Sequence, residues 1–369
     1  MTAVPLPLPT TLARPAAVGG RDATPGERAT PGSRGQLVDR FGRVHRDLRI
    51  SLTDRCSLRC TYCMPEQGVE WLAKSSILTT DEIVRVAGVL ASLGIVEVRL
   101  TGGEPLLRRD IVDVVRRVAA IEGVSGPLEV SMTTNGLKLP ELAEPLREAG
   151  LARVNVSIDT LRRDRFAALT RRDRLDDVLR GIQAACRAGF SPLKLNAVPM
   201  RGVNDDEIVD LVQFAVDNGA QMRFIEQMPL DAGHTWSRAD MVDAGEILDK
   251  LTQRFTLTPI GERGSSPSQD YLVDGGPTTV GLIASVTVPF CGACDRVRLT
   301  ADGQIRNCLF AREESDLLPL LRGAEGQAPA DDDAISDLLR SSIAGKRAGH
   351  GIDDPGFLQP QRPMSAIGG

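Results

Sequence analysis

Between Leu48 and Met228, six short apolar runs alternate with amphipathic stretches of helical spacing, which confines the chain to a narrow set of folds. The runs are LRISL (48–52), VEVRLTG (96–102), LEVSMTT (128–134), RVNVSID (153–159), LKLNAVP (193–199) and MRFIEQM (222–228). They are rich in β-branched residues, which suit a pleated strand. Between them lie stretches such as TTDEIVRVAGVLASLG, with Thr79 or Thr80 as its N-cap, and DVLRGIQAACRAGF, closing at Gly189 as a C′ residue. In the latter, Cys186 beside Ile182 and Ala185 reads as a core residue. Repeated βα units require a parallel sheet with right-handed crossovers. Six are too few for a closed eight-stranded barrel, so an open, partial (β/α)6 barrel of the α/β class is expected.

The chemistry-bearing residues cluster where these runs end. Cys56, Cys60 and Cys63 follow the first, Gly102-Gly103-Glu104-Pro105 the second, and Thr133-Thr134-Asn135-Gly136 the third. Ser157 and Asp159 close the fourth, Lys194 and Asn196 lie in the fifth, and Glu226 and Met228 end the sixth. Core packing alone does not enrich successive strand ends in this way. In parallel barrels the C-terminal rim of the strands carries the active site.

Six of the seven cysteines form two triplets, C-x3-C-x2-C at 56–63 and C-x2-C-x13-C at 291–308. The first residues lack a positive segment followed by an apolar one, so no secretory signal is expected and the cytoplasm fits best. Thiols grouped this tightly in a reducing compartment point to metal rather than disulfides. Each triplet is one ligand short of a closed tetrahedral site, which leaves a position open for a small molecule. Three thiolates on a compact loop can hold three irons of a cubane cluster and leave the fourth exposed. The alternatives are a zinc knuckle or ribbon with a distant fourth ligand, although such sites favour paired C-x2-C units. Only three histidines occur, scattered at 45, 234 and 350, so neither a His-built metal site nor His-centred acid–base chemistry is supported.

The net charge of −5 argues against a general nucleic-acid binder, which needs a basic surface. It leaves room for a local cluster of cations gripping one phosphorylated ligand. No run approaches about 18 apolar residues, so no membrane-spanning helix is expected. Residues 1–42 are rich in Pro, Gly, Ala, Thr and Arg and read as a disordered extension. Residues 43–262 hold the βα repeat, and 263–369 a segment of short strands, Gly and Pro turns, the second triplet and weak helices.

The C-x3-C-x2-C triplet, followed by Gly-Gly-Glu-Pro after the next strand, resembles the radical S-adenosylmethionine superfamily. With CGACDRVRL, RISLTDRC, MTTNG, VNVSID, PMRGVNDDE, RFIEQMP and the terminal Gly-Gly, residues 43–369 resemble the GTP 3′,8-cyclase (molybdenum cofactor biosynthesis protein A) family within it. The resemblance implies two 4Fe–4S clusters and S-adenosylmethionine as cofactors. Cys56, Cys60 and Cys63 would hold the S-adenosylmethionine cluster, and Tyr62, Gly103, Ser157 and Met228 would line that cofactor. Cys291, Cys294 and Cys308 would hold a second cluster whose free iron meets the guanine of GTP. Arg49, Arg99, Thr133, Lys194, Arg223, Arg296 and Arg298 would bind GTP, for which charge-assisted bonds suit the triphosphate. Arg296 and Arg298 fall on one face of a strand.

The implied reaction removes the ribose C3′ hydrogen with a 5′-deoxyadenosyl radical and joins C3′ to C8 of the guanine. Gly368 and Gly369 resemble the family's flexible tail, which reaches into the active site; without that resemblance a frayed terminus is expected. The resemblance also implies a reducing electron donor, hand-over to the next enzyme of the pathway (cyclic pyranopterin monophosphate synthase) and a homodimer. Two rival readings are a twin-cluster radical enzyme that modifies a peptide and a non-catalytic zinc-binding interaction protein.

Overall fold

The computed structural model describes residues 36–369 except 232, 324–326 and 369. Most of the expected N-terminal extension (1–35) and Gly369 of the tail therefore lie outside the described residues.

All six expected strands form: β1 (Asp47–Ser51), β2 (Glu97–Thr101), β3 (Glu129–Thr134), β4 (Arg153–Ser157), β5 (Lys194–Ala197) and β6 (Gln221–Ile225). They pair in parallel and in sequence order, β1 with β2 through to β5 with β6. Helices α1 (Thr80–Ser92), α2 (Ile111–Ala119), α3 (Leu139–Glu148), α4 (Arg163–Thr170), α5 (Leu175–Arg187) and α6 (Ile208–Asp217) occupy the crossovers. Thr79 caps α1 in a reciprocal box with Glu82, and Gly189 follows α5 with a φ of 76°.

The chain after α7 (Ala244–Thr252) extends the same sheet at both edges. Strands β7 (Leu257–Pro259), β8 (Gln269–Val273) and β9 (Thr279–Ile283) add beyond β6, with β9 parallel to it. Strands β10 (Arg296–Leu299), β11 (Gln304–Arg306) and β12 (Ser315–Asp316) add beyond β1, with β10 parallel to it. The sheet thus has twelve strands in the order β12-β11-β10-β1-β2-β3-β4-β5-β6-β9-β8-β7 and does not close. The β9–β10 connection, 284–295, spans the gap and carries Cys291 and Cys294.

Strand alternation sorts the two faces by polarity. Leu48, Ile50, Val98, Leu100, Val130, Met132, Val154, Val156, Met222 and Phe224 are buried in one continuous apolar core with helix residues such as Ile83, Val86, Val114, Val118 and Ile182. The opposite, inner face carries Arg49, Arg99, Ser131, Thr133, Asn155, Lys194, Asn196 and Arg223. The fold is held by its outer shell, and the lumen is left polar.

Two expectations are corrected. Ordered chain begins before residue 43: Leu37 is fully buried, its N–H donates to Leu93 O at 3.0 Å, and Asp39 pairs with Arg43 Nε at 2.5 Å. One leucine in a polar tract gives no periodic signal, and its partners come from elsewhere in the chain. Cys186 is exposed, its sulfur 3.8 Å from Asn218 O. It sits about 100° around the helix from Ala185, off the buried stripe.

No described helix is long and apolar enough to cross a membrane. Leu37→Ala is expected to lower stability by about 2–5 kcal/mol, as for other buried leucines. The denaturation midpoint of the full chain measures it, and an unchanged midpoint would detach this segment from the core.

Candidate active site

The first cysteine loop is built onto the end of β1 and braced by the turn after β2. Gly103 N–H donates to Thr53 O and Glu104 N–H to Arg55 O, both at 2.7 Å. A Cβ on Gly102 would lie 2.6 Å from Thr53 O, and one on Gly103 within 2.5 Å of Asp54 O and closer still to Arg55 O. The glycines are thus required by the backbone of the cysteine loop itself, not only by the approach of a ligand. Glu104, buried, accepts from Leu106 N–H (3.0 Å), Thr134 Oγ1 (2.6 Å) and Asn135 N–H (2.7 Å). Asn135 in turn reaches Ser57 Oγ at 3.1 Å and Cys56 Sγ at 3.9 Å. Strand ends one, two and three are therefore tied into one unit around Cys56.

Cys56, Cys60 and Cys63 are partly buried and free of disulfides. Burial and the neighbouring acidic and thiol groups push the thiols of Cys60 and Cys63 up, the latter to about 12. Tyr62, between them, donates from its hydroxyl to Asp159 Oδ2 at 2.7 Å, and Val198 N–H holds Asp159 Oδ1 at 2.9 Å. Strand end four thereby fixes the aromatic ring.

The second triplet lies on the gap-crossing connection and just beyond β11. Glu226, at the end of β6, accepts from Val286 N–H (2.8 Å), Thr287 N–H (2.9 Å) and the Thr287 hydroxyl, and so pins the start of that connection. Arg43 donates to Cys291 O at 2.6 Å from the other side. Burial pushes the Cys291 thiol up to about 11. Burial acts on Cys294 in the same sense, but Lys346 and Arg296 outweigh it and hold that thiol below its usual range.

Register sets the cations in rows across the lumen. Arg298, Arg49 and Arg99 lie side by side on β10, β1 and β2, and Lys194 and Arg223 lie further round on β5 and β6. Asp47 Oδ2 approaches Arg49 Nη2 at 3.4 Å and Arg296 Nε at 3.3 Å. The Nε groups of Arg49 and Arg99 are buried without a hydrogen-bond partner. Burial first, then crowding by other cations, brings Arg99 and Arg298 down to about 9 and Lys194 to about 8. Buried, underpartnered cations call for an anion.

The expected residues largely converge. Arg49, Tyr62, Met228, Cys291, Cys294, Arg296, Arg298 and Cys308 line one cavity. Arg99, Thr133, Ser157, Lys194 and Arg223 share the lumen face by register. Gly103 is not in the cavity lining. The tail enters the lumen: Arg298 donates to Gly368 O, and a Cβ on Gly368 would meet Thr101 Oγ1 and Ser51. Two further site residues stand outside the motifs: Asp47, which pleat alternation from Arg49 marks, and Lys346, which nothing local marks.

A curated relative from Streptomyces coelicolor named GTP 3′,8-cyclase is 59% identical over 336 residues, covering 90% of this chain and 96% of its own length. One of the same name from Mycobacterium sp. (strain KMS) is 53% identical over 371 residues, the whole of both chains. The chain belongs to the GTP 3′,8-cyclase family. Residues 50–215 match the family described as "Radical SAM superfamily" and 220–352 that described as "Molybdenum Cofactor Synthesis C". SuiB of Streptococcus suis, solved bound to S-adenosylmethionine, shares the fold with a TM-score of 0.57 at 15% identity, over 83% of this chain and 70% of that one.

The GTP 3′,8-cyclase family works with two 4Fe–4S clusters and S-adenosylmethionine. The donor sets here fit such clusters: each is three free thiols, the first on one braced loop and the second on two neighbouring segments. Among the described residues no group of three or more His, Cys, Asp or Glu closes on a single ion. The raised thiols imply that iron must displace protons on binding. Gly103→Ala is expected to cost about 1–3 kcal/mol by overpacking and to lower iron retained by the first loop. Denaturation and iron analysis after anaerobic reconstitution check this; full iron content at unchanged stability would contradict it.

Proposed function

We propose that this chain converts GTP to (8S)-3′,8-cyclo-7,8-dihydroguanosine 5′-triphosphate, the first step of molybdenum cofactor biosynthesis. The observation that carries the reading is the underpartnered cation row inside the sheet: Arg49 and Arg298 line one cavity with the second thiol triplet and with Tyr62, the residue of the first cysteine loop that reaches it. Cys56, Cys60 and Cys63 hold the S-adenosylmethionine cluster, and Cys291, Cys294 and Cys308 the second. When bound, the first cluster and S-adenosylmethionine would supply the radical chemistry needed to activate C3′ of GTP.

The protein's own work is orientation and exclusion of water. Tyr62, Gly103, Ser157 and Met228 line the cofactor; the Tyr62–Asp159 bond supports a fixed ring there. Arg49, Arg99, Lys194, Arg223, Arg296 and Arg298 receive the triphosphate, and Thr133 adds a hydroxyl. The guanine then meets the second triplet, on the far wall of the same cavity. Gly368, which has no side chain, admits the tail to this crowded space, and a role there for Gly369 is part of the same proposal. Residues 43–262 act as the radical-generating barrel and 263–369 as the substrate-holding part. A reductant for the first cluster, transfer of product to cyclic pyranopterin monophosphate synthase, a cytoplasmic setting and a homodimer complete the reading.

Two outcomes test it. Anaerobic reconstitution should give about eight irons per chain, and 5′-deoxyadenosine release with dithionite and S-adenosylmethionine should depend on GTP. Stoichiometric zinc, or release indifferent to GTP, would sink the assignment. Arg99→Ala should weaken GTP binding by about 10- to 100-fold, the loss of a charge-assisted bond, while iron content stays at the wild-type level.

A further inference from the structure

Lys346 follows α8 (Asp332–Ala344) and is 2% exposed. Its ammonium donates to Arg296 O at 2.9 Å and to Cys294 Sγ at 3.5 Å. Among the described residues no carboxylate comes within ion-pair distance of it. Its other charged neighbours are Arg43 and Cys308. Arg43 is already paired with Asp39 and repels it. An isolated ammonium in such a place is costly, and the cost falls only if an anion accompanies it. The thiolates of the second triplet are the anions within reach.

We propose that Lys346 is the counter-ion of the second thiolate triplet and raises the reduction potential of the cluster held there. This rests on the reading that Cys291, Cys294 and Cys308 carry a cluster. A cation bonded to a ligating sulfur stabilises the more negative, reduced form, and bonds to sulfur are among the factors that set cluster potentials. The same residue couples cluster loading to folding. Without iron the buried ammonium has no carboxylate within ion-pair distance among the described residues and weakens the metal-free chain; with iron it faces the fixed negative charge of the ligating sulfurs.

The test uses the full chain as wild type, Lys346→Met and Lys346→Arg, each metal-free and anaerobically reconstituted. Redox titration followed by electron paramagnetic resonance reads the two cluster signals separately, and denaturation reads stability. The Met variant should lower the midpoint potential of the second signal, leave the first in place, and unfold no earlier than wild type when metal-free. The Arg variant should keep the wild-type potential. Loss of the second signal from the Met variant alone, with retention in the Arg variant, supports the same role. An unchanged second potential in the Met variant, or a less stable metal-free Met variant, overturns the proposal. If wild type itself shows only one cluster, the functional reading fails instead.

Discussion

Everything in this molecule depends on keeping a set of guanidinium groups inside a sheet without neutralising them. Arg49, Arg99 and Arg298 sit side by side on adjacent strands, and Asp47 satisfies them only in part. Such an arrangement is unfavourable in isolation, since burial and mutual repulsion both act against the charged form. It persists because the folding energy comes from the other face, where the alternate residues of the same strands pack under the helices. A conventional barrel fills its interior with branched apolar side chains. Here that layer is missing, and the vacated volume is lined by Arg49, Arg296 and Arg298 and ends at the second thiol triplet.

The open seam has the same logic. β9 and β10 stand at opposite edges of the parallel array, and the chain passes from one to the other across the gap. That passage would be a loose loop, were it not fixed by Glu226 at one end and Arg43 at the other. Glu104 does the equivalent for the first cysteine loop. Buried carboxylates thus act beside both cysteine triplets as acceptors for backbone N–H groups, which fixes the surrounding chain without engaging the thiols. The carbonyl of Gly368 on Arg298 shows that the lumen admits a neutral backbone acceptor beside its cations.

Much of this was legible in the sequence because it is periodic or local. The six strands and the polar residues at their ends follow from alternation, and both triplets from spacing. Arg296 and Arg298 fall on one face for the same reason. What was hidden depends on distant partners. Leu37 becomes core only through Leu93, and Lys346 becomes interesting only beside Cys294, 52 positions earlier. The glycines after β2 are legible as glycines, but their crowding against Thr53 to Arg55 arises from a segment about 50 residues earlier. Cys186 is exposed although its sequence neighbour Ala185 is buried, because one residue is a turn of about 100° around a helix.

The central claim is that the lumen cations hold a nucleotide triphosphate between the two clusters. An anaerobic crystal structure of the reconstituted protein with S-adenosylmethionine and GTP tests it most directly. The account requires triphosphate density against Arg49, Arg99 and Arg298, with the base toward Cys291, Cys294 and Cys308. A lumen with ordered arginines and GTP bound elsewhere on the chain would contradict it.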